Sequence, residues 1–214
     1  MIRTAENLSD RLSQDLAWRK RELGEILHLI RRAVGSPVKQ RALSRCGVAV
    51  LYAHFEGFVR NGGRRYLELV CMKRLRNEEL SDRMMALMVR NRLASVVDSR
   101  KASSFQGVVG FLRHEGQSRS RLPYKTSLDT ESNLSSRVLK EITWCLDFDY
   151  SPYETKQKLI DNKLLERRNH IAHGEFIDVD ADEYEQLHTE VVQLMDLFKN
   201  QAENAAVLEQ YRAI

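Results

Sequence analysis

The segment Leu51-Tyr52-Ala53-His54-Phe55-Glu56-Gly57-Phe58-Val59, with Gly47-Val48-Ala49-Val50 before it, is apolar at almost every position. Wound as a helix, it is apolar on several sides at once, and such a helix is stable only when other helices surround it. This places a second helix, starting near Val38, at the centre of a bundle. The run falls short of the roughly 20 apolar residues that a membrane span needs, so the sequence predicts no membrane association. Gly62-Gly63 interrupts the pattern before it resumes at Tyr66-Leu67-Glu68-Leu69-Val70, which predicts a kink or a close helix contact there.

The remaining chain supplies the surrounding helices. Leu8, Leu12, Leu16, Leu23, Ile26, Leu27 and Ile30 lie mostly three or four apart, describing one amphipathic helix over about 5–33 that Gly35-Ser36-Pro37 ends. Further on, Asn77 is a candidate cap for a helix through about Val89. Helical patterns follow at Phe105 to Leu112 and at Leu134 to Leu146, the latter with Asn133 as candidate cap. Between these last two, Glu115 to Asn133 is polar and rich in Ser and Thr, too long for an ordinary turn, and reads as a mobile loop or lid.

Ser151-Pro152-Tyr153-Glu154 has the form of a helix start, with Ser as cap and Pro at the first helical position. That helix points Leu159, Ile160, Leu164, Leu165 and Ile171 inward and ends near His173, where Gly174 supplies a left-handed stop. A last helix spans about Ala181 to Ala206, capped by Asp180, with Leu187, Val191, Leu194, Met195 and Phe198 as its stripe. No strand alternation and no repeat emerges. The expectation is one all-α domain over 1–214, a bundle of about 6–8 helices.

Charge and cysteine content narrow the partners. Lys plus Arg outnumber Asp plus Glu by 34 to 30, giving a net charge of +4, which permits an acidic partner without forming the dense basic patch of a dedicated DNA binder. Runs such as Arg19-Lys20-Arg21 and Arg64-Arg65 read first as solvated helix faces. Cys46, Cys71 and Cys145 are scattered, which argues against a disulfide framework or zinc knuckle and for a reducing compartment, the cytoplasm. The early acidic residues Glu6, Asp10 and Asp15 do not suit a signal peptide.

Chemistry concentrates in Arg167-Arg168-Asn169-His170-Ile171-Ala172-His173-Gly174-Glu175, at the end of an otherwise apolar helix. Arg offers phosphate oxygens a permanently charged planar fork, and His gives or takes a proton near neutrality, a combination suited to phosphodiester chemistry. His173 faces the carbonyl end of its helix, an environment that favours a cation. Arg168 and His173, five residues apart, stand about 140° around an ideal helix, so they share no face unless the last turn unwinds or a second subunit completes the site. Asn169 and His173 do share a face. A purely electrostatic reading also exists, in which Arg167, Arg168 and His170 are surface residues at a helix C-terminus.

Other chemistries fare worse. His170 and His173 with Glu166 or Glu175 lack the repeated Glu-x-x-His pattern of bundle metal sites, so no metal or other cofactor is expected. No glycine-rich phosphate loop occurs, and no Ser or Cys nucleophile stands in an elbow or dyad context.

Arg168-Asn169-x-x-x-His173, on the penultimate long helix of an all-α chain, resembles the Arg-x(4–6)-His signature of the HEPN superfamily. Leu51 to Val59 is similar to the central helix of the HEPN-like nuclease branch associated with RiboL-PSP proteins. Asn133-Leu134-Ser135-Ser136 followed by a helix, and Ile171-Ala172-His173-Gly174-Glu175, resemble the same branch, so the likeness extends over about Lys39 to Ala206.

The resemblance implies a homodimer whose motif helices face each other in one composite cleft, which would resolve the 140° misalignment. It implies metal-independent cleavage of RNA: Arg168 holds the scissile phosphate, Asn169 positions it, and His173 assists attack by the ribose 2′-hydroxyl, leaving a 2′,3′-cyclic phosphate and a 5′-hydroxyl. DNA, which lacks that hydroxyl, would survive. Glu56 becomes a supporting partner of Arg168 or His173, set against the plainer reading of His54 and Glu56 as an internal polar pair. His170 and Arg167 lie outside the signature and would touch RNA or face solvent. The resemblance further implies a toxin or defence effector controlled by an antitoxin, a partner chain or an infection signal. Members silenced by nucleotidylation carry a Tyr two residues after the motif His; Glu175 stands there in this chain. The rival reading is a non-catalytic helical module that binds RNA or protein.

Overall fold

The computed structural model describes residues 1–128 and 133–213. Among the described residues eight α-helices follow one another: α1 (Ala5–Arg32), α2 (Pro37–Met72), α3 (Asp82–Ala94), α4 (Gln106–His114), α5 (Ser136–Cys145), α6 (Ser151–Glu154), α7 (Arg167–Ala172) and α8 (Ala181–Val207). Short 3-10 turns occupy Asn77–Glu79 and Ala102–Phe105, and a π-helix occupies Leu159–Glu166. Among the described residues there is no strand, only two isolated bridges, and no helix long and apolar enough to cross a membrane.

The apolar run does what its composition requires. Around α2, Leu51, Tyr52, Phe55, Phe58 and Val59 are buried, and in the nine residues from Leu51 only Ala53 is exposed. The long helices α1, α2 and α8 pack mutually around this seam, while α7 and the π-helix lie against another side of α2. Thr4 accepts the Asn7 amide to start α1, and Asp180 accepts the Glu183 amide to start α8. Leu8, Leu12, Leu16, Leu23 and Ile30 from α1 meet Leu187, Val191, Leu194, Met195 and Phe198 from α8 in one core.

Glycine permits the closest approaches. Of the kink or close contact expected at Gly62-Gly63, the structure has the close contact, and α2 continues through both glycines. A Cβ on Gly63 would come within 2.5 Å of Leu128 Cδ1, so these glycines mark close packing. Gly47 meets a more rigid neighbour, since a Cβ there would sit 2.6 Å from Cε2 of the buried Tyr184 ring on α8. Gly47→Ala is therefore expected to destabilise the fold by about 1–3 kcal/mol through overpacking, outweighing the ~1 kcal/mol that alanine gains in helix propensity. A lowered urea midpoint with unchanged slope would show it.

Three helix starts differ from the sequence expectation, each through competition between neighbouring polar residues. Asn77 caps nothing; it is buried and its amide nitrogen donates to the Glu115 carbonyl, while Ser81 caps α3. Ser135, not Asn133, accepts the Val138 amide at α5. Ser151 is already helical, and the Asp149 carboxylate takes its amide. Over 115–128 the segment expected to be a mobile loop buries Leu122 and Leu128 and bonds Ser120 N to Leu75 O. Residues 129–132 of that expectation lie outside the described residues.

Candidate functional site

The motif helix is reached through a π-helix. In Leu159–Glu166 the hydrogen bonds span five residues, an arrangement rare in helices and frequent beside functional sites. Ile160 and Leu164 are fully buried, and Leu159, Leu165 and Ile171 pack partly buried against the core, so the expected inward face is present. The backbone returns to α-helix at Arg167 and stops as the glycine predicts: Gly174 has φ +76°, and Glu175 N bonds back to His170 O at 2.9 Å.

Neighbouring arginines diverge. Arg167 turns towards α8 and pairs with Glu183. Arg168 turns towards α2, where its guanidinium carbon lies 4.1 Å from the centre of the Tyr52 ring and its Nη2 lies 3.9 Å from Glu56 Oε2. Its Nη1 also donates to Asn169 Oδ1 at 2.8 Å. Tyr52 and Glu56 are one turn apart on α2 and so present a ring and a carboxylate on the same face. Stacked on one and paired to the other, the guanidinium is pre-oriented with its side chain still 23% exposed.

Tyr52 ties this site to the start of α5. Its hydroxyl accepts the Leu134 amide at 2.6 Å, and burial pushes the phenol above its ordinary range, so it stays a neutral hydrogen-bonding group. From sequence, Tyr52 reads as part of the apolar core run. Its spacing of four from Glu56 was the available signal, but an apolar helix of this kind makes every aromatic look structural.

The other candidate residues separate into three environments. His173 caps α7 and is exposed, and no hydrogen bond or ion pair joins its ring to the described residues. The chain after it is held in place: Arg45 of α2 donates to the Glu175 carbonyl at 2.8 Å, and Arg41 pairs with Asp178 at 3.5 Å. His170 is clamped between Glu175 and Glu166, and its hydrogen bond with Glu175 raises its pKa.

His54 is elsewhere. It faces α1, with Nε2 3.0 Å from Glu22 and its backbone carbonyl taking Arg19 Nη1, so it neither pairs with Glu56 nor approaches Arg168. Burial lowers its pKa. In an NMR titration the His170 ring is therefore expected to lose its proton at a higher pH than His54.

The structure gathers Arg168, Asn169, Tyr52 and Glu56 on one side, and the ring of His173, the residue that ends α7, is joined to none of them by a hydrogen bond or ion pair. Among the described residues no group of three or more His, Cys, Asp or Glu side chains is arranged to hold a metal ion. A family model described as HEPN_MAE_28990-like HEPN matches residues 8–211. No curated protein and no solved structure matches the chain.

Proposed function

The chain belongs to the HEPN family, and on that premise we propose that it is a metal-independent endoribonuclease acting as a homodimer. Support comes above all from one observation: Arg168 is presented to solvent as a planar fork fixed by Tyr52, Glu56 and Asn169, on the short helix that exposed His173 ends. A guanidinium fixed before substrate arrives loses little freedom on binding, and so stabilises the charge that develops on a phosphate in the transition state.

In the reaction proposed, Arg168 and Asn169 bind the non-bridging oxygens of the scissile phosphate. The ribose 2′-oxygen forms a bond to phosphorus as its proton passes to a base, and the bond from phosphorus to the 5′-oxygen breaks as that oxygen is protonated. The partner subunit's His173 carries one of these proton transfers, and water takes the other. The products are a 2′,3′-cyclic phosphate and a 5′-hydroxyl. Phe176, 83% exposed just past the motif, leaves apolar surface where a second motif helix would meet the first. A cytoplasmic toxin or defence effector restrained by a partner protein is the role that suits such an activity.

The direct test is incubation of purified protein with RNA and DNA in EDTA, followed by analysis of the new ends. Cyclic phosphate ends on RNA and intact DNA are expected; binding without cleavage would make the chain a non-catalytic module. A finer test addresses Glu56. Glu56→Gln is expected to slow cleavage about tenfold, equal to ~1.4 kcal/mol of transition-state stabilisation. Stability should change by under about 1 kcal/mol, the worth of a partly exposed ion pair. Equal losses of both would remove Glu56 from the site.

A further inference from the structure

Trp144 is one of only two tryptophans in the chain, and its ring is 44% exposed. It lies on α5, whose inner stripe, Val138, Leu139, Ile142 and Cys145, is buried in the core. The outer stripe is Arg137, Lys140, Glu141 and Trp144, which fall three and four apart and so line one face. With Arg90 of α3 these residues line a groove of about 650 Å³.

The groove combines an aromatic platform with an excess of cations. Arg90 and Lys140 outnumber Glu141, whose carboxylate lies 4.0 Å from Arg90 and takes the Cys145 thiol at 3.5 Å. Arg83 lies 5.5 Å from the centre of the Trp144 ring and is itself paired with Asp147. Position matters as much as composition. The Leu134 amide, just ahead of α5, is the donor to Tyr52, the ring under Arg168. The helix that carries the groove therefore starts beside the ring on which Arg168 stacks, and Trp144 lies about 10 Å along it from Arg137.

We propose that the outer face of α5 is the track on which unpaired RNA leaves the cleavage site, with Trp144 stacking one of its bases. This rests on RNA being the substrate of Arg168 and His173. Cations following a backbone beside an exposed aromatic ring are the features that hold single strands without sequence readout. A duplex hides the flat faces of its bases, so the platform selects unpaired strand.

Trp18→Phe leaves Trp144 as the only tryptophan, so fluorescence reports the platform directly. The probe is a short unpaired RNA with 2′-O-methyl riboses, which has no hydroxyl to attack. Quenching that weakens with salt is expected, with little effect from the same sequence as a duplex. In the otherwise unaltered chain, Trp144→Ala is expected to raise KM for unpaired RNA about tenfold with kcat nearly unchanged, in line with the loss of one base–aromatic stack. Quenching by the uncleavable probe in a protein that cuts no RNA would keep Trp144 as a base platform but defeat the ribonuclease reading and, with it, the exit track. Cleavage with an unchanged KM in Trp144→Ala, or equal quenching by duplex or by a polyglutamate peptide, would overturn the track and leave that reading standing.

Discussion

Arg168→Ala is expected to lower RNA cleavage about a thousandfold, the scale on which enzymes lose a fixed group that stabilises developing charge. The fold should hardly notice, because the side chain is partly exposed and its pairing with Glu56 is long at 3.9 Å. Arg168→Lys should recover little of the loss. An ammonium cannot lie flat on the Tyr52 ring or offer two parallel donors to a phosphate. His173→Ala should cost a comparable factor, between about a hundredfold and ten-thousandfold for a lost proton-transfer group. Since His173 is exposed, its loss too should leave the melting temperature in place. Rates measured on one RNA, beside thermal melts of the same preparations, separate these effects. Cleavage that survives in either alanine variant would move the chemistry away from the motif.

Asp15→Ala is expected to have the largest effect on stability. Asp15 and Arg19 are buried between α1 and α2, with Arg19 Nε 3.0 Å from the Asp15 carboxylate and both side chains about 5% exposed. The same carboxylate accepts from Trp18 Nε1 at 2.8 Å and Arg65 Nη1 at 3.2 Å. Arg19 lies against Gly57, where a Cβ would come within 3.1 Å of its Nη1. Removing Asp15 leaves the guanidinium buried without its carboxylate, a change that costs about 3–5 kcal/mol. For a chain of this length that lowers the melting temperature by about 10 °C. Adding Arg19→Leu should restore much of the loss, since apolar replacement of a whole buried pair is often close to neutral. A double variant as unstable as Asp15→Ala would show that the pair contributes more than its own compensation.

The architecture was legible because its signals are redundant. The spacing of leucines in α1, the all-round apolar character of α2 and the glycine after His173 each state one thing several times, and the all-α bundle, its helix order and the φ +76° stop at Gly174 follow. Caps were less legible, since Asn77, Ser81, Asn133 and Ser135 offer similar chemistry and only tertiary contacts decide among them. The π-helix before the motif has no simple sequence code.

For the site, the motif residues were visible but their partners only in part. Glu56 could be suspected because a carboxylate in an apolar helix needs a partner. His54, suspected on the same ground, found its partners in α1, because two residues along a helix point to different neighbours. Tyr52 carried no such flag, as a buried tyrosine is unremarkable until its hydroxyl and ring face are each seen to be used.

Five residues apart, Arg168 and His173 stand about 140° around an ideal helix, so a shared cleft is what would bring the two groups to one phosphate. It is tested by mixing two variants that are each inactive, Arg168→Ala and His173→Ala, and allowing the subunits to exchange. In the mixed dimer one chain retains Arg168 and the other retains His173. If the working pair is assembled across the dimer, cleavage returns on mixing, in proportion to the mixed dimer formed. If subunits exchange and no cleavage returns, each chain uses its own Arg168 with its own His173, and the composite cleft is wrong.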